Sequence, residues 1–573
     1  MCNILFLRYV DIIKNLVDIE HKDLVSVEVP KNESFGDFST NIAMVLSKKL
    51  GRSPVDIAEG FRSCLVVDEN FENIEIKAPG FINWKVPRNI LLAHLSDILK
   101  KDFGKSDIGG GVKMNIEYVS ANPTGPLHAG HARGAVSGDV LANLLEFVGY
   151  DITREYYIND AGNQIDQLAK SLRYRYLELF EKAGSNETFA YPGSYLIDSA
   201  KKIAEKHGDI FIEKPETEWL EFFKRFVISD MMESIKADMQ SLGVKHDVFV
   251  SEREIVESGA VGQAIDFLRS KDLIYIGVLD VPKGKEPDDW ESREQLLFRS
   301  TKFGDEVDRP LQKSDGSWTY FASDIAYHMD KINRGFAEMI DFWGADHAGY
   351  VTRMKAAVRA ISNGERELKV KINQIVRFVE DGNEVKMSKR AGTFIAVSDV
   401  INSVGKDVVR FIMLTRRDDA PLDFDFKQVM DQSRDNPVFY VQYAYARTHS
   451  VLHQFTQSFP EENLPAVGDI SGVDLNLLDS EDMDLLKILC DWPRQAAMAA
   501  KNKEPHRLAF YLGDVAAKFH QLWNQGKNDS TLRFIFANNL QKTCAKMLLL
   551  LATQNVIEIV FGIIGITPMK ELR

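Results

Sequence analysis

Residues 120–134 read SANPTGPLHAGHARG. The run before it, VKMNIEYVS, has the apolar density of a buried strand ending at Ser120. The run after it, HARGAVSGDVLANLLEFVGY, has the spacing of a helix that stops at Gly149. DITREYYIND then reads as a second strand. Strand, tight loop, helix and strand of this length make a βαβ unit, which opens a parallel sheet. The quoted loop therefore lies at the carboxyl end of a strand, where open α/β sheets bind ligands.

Three chemistries suit its two histidines. His128 and His131 stand at i and i+3 and can share a helix face around a metal. Yet no Cys, Glu or third His lies nearby in sequence, and the Glu of an HExxH pattern is missing. They can instead be packed core histidines. Or they can donate to a phosphate, because a helix N-terminus offers unpaired N–H groups and partial positive charge. Gly130 then lets backbone approach a nucleotide. The His-x-Gly-His pattern alone is a weak signal.

Working outward, residues 1–105 read as a small α+β domain. It opens on an amphipathic helix in MCNILFLRYVDIIKNLVD rather than a signal peptide. VSVEVPKNESFGDFSTNIAMVLSKKL gives a strand, a turn and a helix with Ile42, Leu46 and Leu50 on one face, and NIEIKAPGFINWKV closes the unit. The glycines at 109–111 mark a boundary. Residues 106–385 read as the α/β core, with a charged, mostly helical insertion at about 165–270. Within it, ESREQLLFRSTKFGDEVDRPLQKSDGSWTYFASDIAYHMDK resumes β structure and then turns helical. EMIDFWGADHAGYVTRMKAAVRAI repeats the strand–loop–helix theme. Residues 386–430 form a polar loop and a connecting domain, and 431–573 a helical bundle. The expected class is α/β: a Rossmann-like parallel sheet with a helical insertion, an N-terminal α+β domain and a C-terminal all-helical bundle.

A chain of 573 residues, 45% hydrophobic and 27% charged, has material for several cores. It contains no uninterrupted apolar run of about 18 residues, so no membrane span is expected. Cys2, Cys64, Cys490 and Cys544 are scattered without a Cys-x-x-Cys pair, so neither a disulfide framework nor zinc is expected, and a reducing cytoplasm fits. The net charge of -14 argues against sequence-independent coating of nucleic acid but leaves room for local basic patches.

A second motif lies far along the chain: residues 386–393 read KMSKRAGT. Alone it is a solvated charged turn. In this order after HAGH it resembles the paired signature motifs of class I aminoacyl-tRNA synthetases. In that family the two loops bind ATP and stabilise the transition state at its α-phosphate. EYVSANPTGPLHAGHARGAVSGD, YYINDAGNQIDQLA, RSTKFGDEVDRPLQKSDGSWTYFASDIAYHMDK and DNPVFYVQYAYAR narrow the resemblance to arginyl-tRNA synthetases of bacterial type, as do GDFSTNIAM and PGFIN in the first domain. The intact KMSKR loop is a point of interest, since many members of that family carry a degraded version.

The resemblance implies roles. His128 and His131 would donate at the α-phosphate, and Lys386 and Lys389 would neutralise the β- and γ-phosphates. Gly130, Gly344, Asp346, Met387 and Ser388 would complete the ATP site. Glu117, Ser120, Asn122, His131, Tyr320, Asp324 and His347 would hold arginine. Tyr320 and Asp324 stand at i and i+4, one face of a helix, and a guanidinium calls for carboxylates in fixed geometry. Without its partners, Glu117 reads as a strand-edge charge and Asp324 as a helix-surface carboxylate. Tyr440, Tyr443 and Arg447 would meet tRNA in the C-terminal bundle, where the alternative is a pair of core rings; Lys501, Lys503, Arg507 and Lys518 would add positive charge. The first domain would touch the outer corner of the tRNA at its D-loop.

The implied partners are L-arginine, ATP, Mg²⁺ carried with the nucleotide, and tRNA(Arg), acting on a cytoplasmic monomer with no membrane contact. The implied reaction is ligation through arginyl-adenylate to the 2′-hydroxyl of the terminal adenosine, with arginine activation dependent on tRNA. A synthetase for cysteine would show zinc-ligand cysteines, and one for glutamate would need a cation where Asp324 stands. A small nucleotidylyltransferase has no need of such a helical C-terminal domain, and a non-catalytic tRNA-binding regulator has no need of intact HAGH and KMSK loops.

Overall fold

The structure, a computed structural model, describes residues 5–30, 32–184, 189–279, 293–380, 382–384, 395–433, 435–464 and 470–572. It divides into two compact units. One comprises Met1–Ser106 with Ser433–Lys503 and Arg507–Arg573; the other comprises Asp107–Gln432 with Glu504–His506.

In the first unit, helix Leu5–Asn15 buries Leu5, Tyr9 and Ile13, one apolar residue per turn. Tyr9 joins Phe38, Phe71 and Trp84 in an aromatic core with ring centroids 5.1 to 6.2 Å apart. A three-stranded antiparallel sheet carries it, with Phe81–Lys85 between Phe38–Thr40 and Glu72–Lys77. VSVEV contributes only a bridge from Glu28 to Ser39 rather than the expected strand. Helix Ile42–Leu50 buries Ile42 and Leu46 as expected, but Leu50, at its last turn before Gly51, is 48% exposed.

The C-terminal part is helical: Pro437–Ser458, Ser480–Cys490, Trp492–Asn502, His506–Asn528 and Leu540–Ile564. Leu540–Ile564 reaches the length and hydropathy of a spanning helix, which the sequence reading did not expect, and 72% of its most apolar window is buried inside the protein. Burial on all sides explains that apolarity within a bundle core. Lys546 sits within this helix with Asp482 at 2.6 Å and Asp479 at 2.9 Å. The first hundred residues and this bundle pack as one unit although the other unit separates them in sequence. The Trp492 indole donates to the Phe103 carbonyl at 3.1 Å, and the Asn555 amide to those of Ile98 and Lys100 at 2.6 and 2.7 Å. Gly104 has φ +86, and a Cβ there would lie 2.4 Å from the Trp492 indole nitrogen.

The second unit is built on five parallel strands: β1 (Lys113–Glu117), β2 (Asp151–Ile158), β3 (Val248–Ser251), β4 (Glu338–Gly344) and β5 (Glu367–Asn373). Their order is β5-β4-β1-β2-β3. The chain moves one way from β1 to β3 and the other way from β4 to β5. The crevice between the ends of β1 and β4 is thus a topological switch point. Helix α1 (Ala132–Phe147) follows the HAGH loop and is buried on most sides. Helices Asn163–Glu178, Tyr195–His207 and α2 (Glu216–Leu242) form a core of their own around Leu172, Tyr176, Leu196, Phe223 and Val227.

Two boundaries differ from the sequence reading. β3 lies inside the stretch read as an insertion; its four residues are too few to stand out in sequence beside a 27-residue helix. And β1 stops at Glu117 rather than Ser120. Val119 and Ser120 have φ of 69° and 38°, so neither continues a β-ladder. The ESREQ run supplies Gln295–Phe298 and Arg309–Pro310, which form a separate antiparallel sheet with Ile274–Gly277. Two more helices matter below: α3 (Glu252–Glu257), which follows β3, and α4 (Tyr320–Asn333).

Candidate active site

His128 is extended, with φ −85 and ψ 155, and caps the short 3₁₀ turn Ala129–His131; His131 in turn caps α1. The two imidazoles are half-buried and stack at 3.6 Å between centroids, 19° from parallel. Gly130 sits tight against the first ring: a Cβ there would lie 3.0 Å from the His128 imidazole and press on it. Among the described residues no three His, Cys, Asp or Glu side chains gather as a metal site. The setting is the helix entrance that the phosphate reading requires.

The loop is tied by backbone to the segment just past the second motif. The Ala129 N–H donates to the Ile395 carbonyl at 2.8 Å, and the Val397 N–H to that of Leu127 at 2.9 Å, on either side of a His128–Ala396 bridge. Residues 395–397 follow KMSKRAGT by one residue. Lys386, Met387, Ser388 and Lys389 themselves lie outside the described residues. Behind the histidines, the buried Arg133 guanidinium donates to the carbonyls of Arg417 and Ala420, each at 2.6 Å, and of Gln374 at 3.2 Å. The Ser137 hydroxyl adds a 2.8 Å bond to Asp418. Sequence reasoning passed over Arg133 and Ser137, whose partners are remote in the chain.

Across the switch point, β4 ends at Gly344, which caps the 3₁₀ turn Ala345–Tyr350. A Cβ on Gly344 would lie 2.4 Å from the Asp346 carboxylate. Asp346 and His347 are exposed and 3.5 Å apart.

Beneath the crevice lies a feature that no local pattern announces. Glu155, Glu117 and Asp341 are register partners on β2, β1 and β4, so three carboxylates stand in a row on one face of the sheet. Helix α4 neutralises them. The Lys331 ammonium meets Glu117 at 2.6 Å and Asp341 at 3.0 Å. The Tyr327 hydroxyl lies between Glu117 at 2.8 Å and Glu155 at 2.7 Å, with one proton to give to either, while Arg334 grips Glu155 with two bonds of 2.6 and 2.8 Å. Each His328 nitrogen faces an oxygen acceptor, the Asp324 carbonyl at 2.8 Å and Asp341 at 3.0 Å, which fits an imidazolium. Burial opposes that charge, but the Asp341 bond raises the His328 pKa overall. Burial likewise opposes ionisation of Asp341, yet Lys331 and His328 bring it down to about 2. For Glu117 burial prevails over Lys331, and its carboxyl is raised. Glu117 is therefore no strand-edge charge facing water. Its oxygens already serve Ser120 at 2.9 Å as well as Tyr327 and Lys331.

The other end of α4 lies among a second group of acids. Tyr320 and Asp324 share the expected face, and the Tyr350 hydroxyl holds Asp324 at 2.5 Å. Burial raises the Asp324 carboxyl to about 6. Glu252, at the start of α3, was missed in the sequence because its neighbours come from other elements. Burial, then Asp324 and Asp160, push it to about 7. Asp160 is buried and fixed by the Ser251 hydroxyl at 2.7 Å and the Arg253 N–H at 3.0 Å. Ser120 stands beside Tyr157, whose N–H donates to its Oγ at 3.1 Å. Asn122 is exposed and donates to Gln164 at 3.2 Å.

In the first unit, Tyr440 and Tyr443 are half-buried, while Tyr445 is the core ring of FYVQYAYAR. The Arg447 guanidinium lies 3.9 Å from the Tyr443 ring centroid and 4.9 Å from that of Trp523, and donates to the Tyr443 hydroxyl at 2.5 Å. His520 donates to the Tyr440 carbonyl at 3.1 Å. Lys501 is exposed and Arg507 and Lys518 are partly so, but Lys503 is buried.

Comparison with known proteins agrees with this architecture. Residues 10–86 match the family described as arginyl tRNA synthetase N terminal domain, 94–432 the class I (R) tRNA synthetase catalytic domain, and 441–572 the DALR anticodon binding domain. The arginine–tRNA ligase of Roseobacter denitrificans is 50% identical over 552 residues, 96% of this chain and 94% of that relative. That of Rhodospirillum rubrum is 50% identical over 560 residues, covering 96% and 95%. The Thermus thermophilus arginyl-tRNA synthetase structure, at 19% identity, aligns with a TM-score of 0.71 over 98% of this chain and 100% of that one, and supports the fold. With N-terminal, class I catalytic and anticodon-binding modules in this order and half of the residues shared along nearly its whole length, the chain belongs to the arginyl-tRNA synthetases.

Proposed function

We propose that the β1–β4 crevice activates L-arginine with ATP and passes the arginyl group to the 2′-hydroxyl of the terminal adenosine of tRNA(Arg). The observation that carries this reading is the pairing of a helix-entrance histidine loop, tied by backbone to Ile395–Val397 just after KMSKRAGT, with the buried acids Asp324 and Glu252.

Arginine enters with its guanidinium toward Asp324, Glu252 and Tyr320 and its α-amino acid end toward Ser120, Asn122 and His347. Glu117 acts one step back, by fixing Ser120. The arginine carboxylate attacks the α-phosphorus of ATP, and pyrophosphate leaves. His128 and His131 donate to the α-phosphate as its charge is redistributed; Gly130, Gly344 and Asp346 shape the nucleotide site. By their motif, Lys386, Met387, Ser388 and Lys389 take the β- and γ-phosphates. Catalysis here is positioning and charge stabilisation, with no protein nucleophile. Mg²⁺ arriving with ATP draws its ligands from phosphate oxygens and water, so it needs no dedicated cage of side chains. Tyr440, Tyr443 and Arg447 are assigned to an unstacked base of the tRNA, where aromatic faces and an arginine plane suit stacking. The acting species in this reading is a cytoplasmic monomer, and the first hundred residues and the 386–430 connection serve as the tRNA-corner and linking domains.

The test is arginine-dependent ATP–pyrophosphate exchange with tRNA present. His131→Ala lowers it about 10²- to 10³-fold. A normal rate in that variant, or exchange with another amino acid and none with arginine, defeats the assignment. Exchange at equal rates with and without tRNA defeats the tRNA requirement.

A further inference from the structure

The segment that leads into the HAGH loop is bent against its own preference. Val119 has φ of 69°, and the Ser120 N–H donates to the Tyr118 carbonyl at 3.0 Å, two residues back. That is a γ-turn with positive φ at its centre, a rare and strained form, and a β-branched residue occupies the centre. Ser120 is left-handed too, with φ of 38°. Such a turn persists only where its surroundings hold it.

The surroundings do so from one direction. α2 ends at Leu242, and the next residues pass behind the turn. The His246 imidazole stacks on the Tyr118 ring at 4.3 Å between centroids, and its Nε2–H donates to the Tyr118 carbonyl at 3.2 Å. The same carbonyl thus accepts both the turn's own N–H and the imidazole. The Tyr118 hydroxyl returns a bond to the Lys245 carbonyl. Gly138 on α1 leaves room for the ring, since a Cβ there would come within 2.3 Å of it. Beyond the turn, the Tyr156 hydroxyl holds the Ala121 carbonyl at 2.8 Å. Burial lowers the His246 pKa to about 4, so the ring is neutral, with one N–H to give, at physiological pH.

We propose that His246 is a positioning residue for arginine: by reciprocal bonding and stacking with Tyr118 it holds the strained Val119–Ser120 turn that presents Ser120 and Asn122 to the substrate. It does not touch the substrate. This gives the end of the helical insertion a part in substrate recognition, and it rests on the assignment of Ser120 and Asn122 to the arginine end. The nucleotide end is held separately, through the Ile395–Val397 backbone bonds to the HAGH loop.

The separation supplies the test, aminoacylation by the full chain with arginine and ATP varied in turn. His246→Phe keeps a ring to stack but loses the donor; it raises KM for arginine about 10-fold and leaves KM for ATP within about twofold. His246→Gln, which can restore an N–H, recovers most of the arginine KM. Tyr118→Phe, which loses only the bond to Lys245, shifts it in the same direction by less. A purely structural role would lower the active fraction and the melting temperature while leaving KM for arginine in place, and that result overturns the proposal. Arginine and ATP KM values rising together overturn it as well. Ser120→Ala, assayed alongside, keeps the two readings apart: a normal arginine KM there with a raised one in His246→Phe removes Ser120 from the site and leaves the turn as what His246 positions. A raised KM in Ser120→Ala with a normal one in His246→Phe removes His246.

Discussion

Glu117 and Asp341 are register partners on neighbouring parallel strands, and one buried ammonium, Lys331, lies 2.6 Å from the first and 3.0 Å from the second. Two carboxylates side by side in a sheet interior repel, and each pays a desolvation penalty; a shared cation of good geometry makes the arrangement tenable.

Removing that cation is costly because the carboxylates stay behind. Lys331→Met destabilises the second unit by about 3–5 kcal/mol, since an uncompensated buried charge remains. Calorimetry then shows the melting transition of that unit roughly 5–10 °C lower. Adding Glu117→Gln to Lys331→Met recovers part of the loss, because only one carboxylate then lacks its partner. Additive losses in the double variant contradict the shared-cation account.

The acid pocket gives a pH dependence whose sign follows from its two raised carboxyls. Asp324 rises from 3.8 to about 6 and Glu252 from 4.5 to about 7, burial being the largest cause for each. Folded carboxyls with raised pKa hold protons that the unfolded chain has lost. Their stability contribution is complete below about pH 4 and disappears as pH rises through 6 and 7. Arginine is a cation throughout this range and favours the ionised pair. Its binding therefore releases protons, and its affinity rises with pH across the same window. The thermal stabilisation given by saturating arginine is expected to be larger at about pH 7.5 than at about pH 5.5. Calorimetric titration in buffers of different ionisation enthalpy reads the released proton directly. No release near pH 6.5, or affinity that falls with rising pH, removes Asp324 and Glu252 from the guanidinium site.

What could be read from the sequence was chemistry carried by contiguous residues. HAGH and KMSKR are short runs, and Tyr320 with Asp324 is a one-turn spacing on a helix, so each is visible without knowing the fold. The apolar density that marks β1 also predicts a strand three residues too long, because φ of 69° at Val119 contradicts what a valine prefers. Glu252, His246 and Lys331 were not legible. Each is set in its surroundings by neighbours from other strands and helices: Asp324 and Asp160 for Glu252, Tyr118 for His246, Glu117 and Asp341 for Lys331. Pairing of β1 with β4 creates the row of acids, and parallel pairing across some 220 residues leaves no local trace. The strand inside the stretch read as an insertion is hidden for a related reason, four residues beside a long helix.

Gly130 separates packing at the histidines from the chemistry proposed for them. Its Cβ position lies 3.0 Å from two atoms of the His128 ring, close enough that the ring has to give way by a few tenths of an ångström. Gly130→Ala should leave folding nearly unchanged, because both residues are half-buried and the shift asked of the ring is small. It should lower the exchange rate about 10-fold, with KM for arginine unaltered, since a displaced donor fails in the transition state rather than in binding. A melting temperature that falls while the rate holds would place the demand for glycine in stability instead.

Arg447 tests the C-terminal reading by a different readout. Its guanidinium is sandwiched near Tyr443 and Trp523 and bonds the Tyr443 hydroxyl, so it is held in place before any ligand arrives. A planar, pre-oriented cation beside aromatic faces is a suitable platform for a base and its phosphate. Arg447→Ala is expected to raise KM for tRNA about 10-fold and to leave KM for arginine and ATP unchanged. Arg447→Lys should rescue little, because an ammonium neither stacks as a plane nor forks its donors. Salt separates the contributions: if the guanidinium acts by charge on phosphate, the salt dependence of tRNA binding weakens in Arg447→Ala, whereas stacking alone leaves that slope intact. A tRNA KM within twofold of the unsubstituted enzyme in both variants makes the Arg447–Tyr443 pair part of the bundle's packing and moves tRNA contact elsewhere.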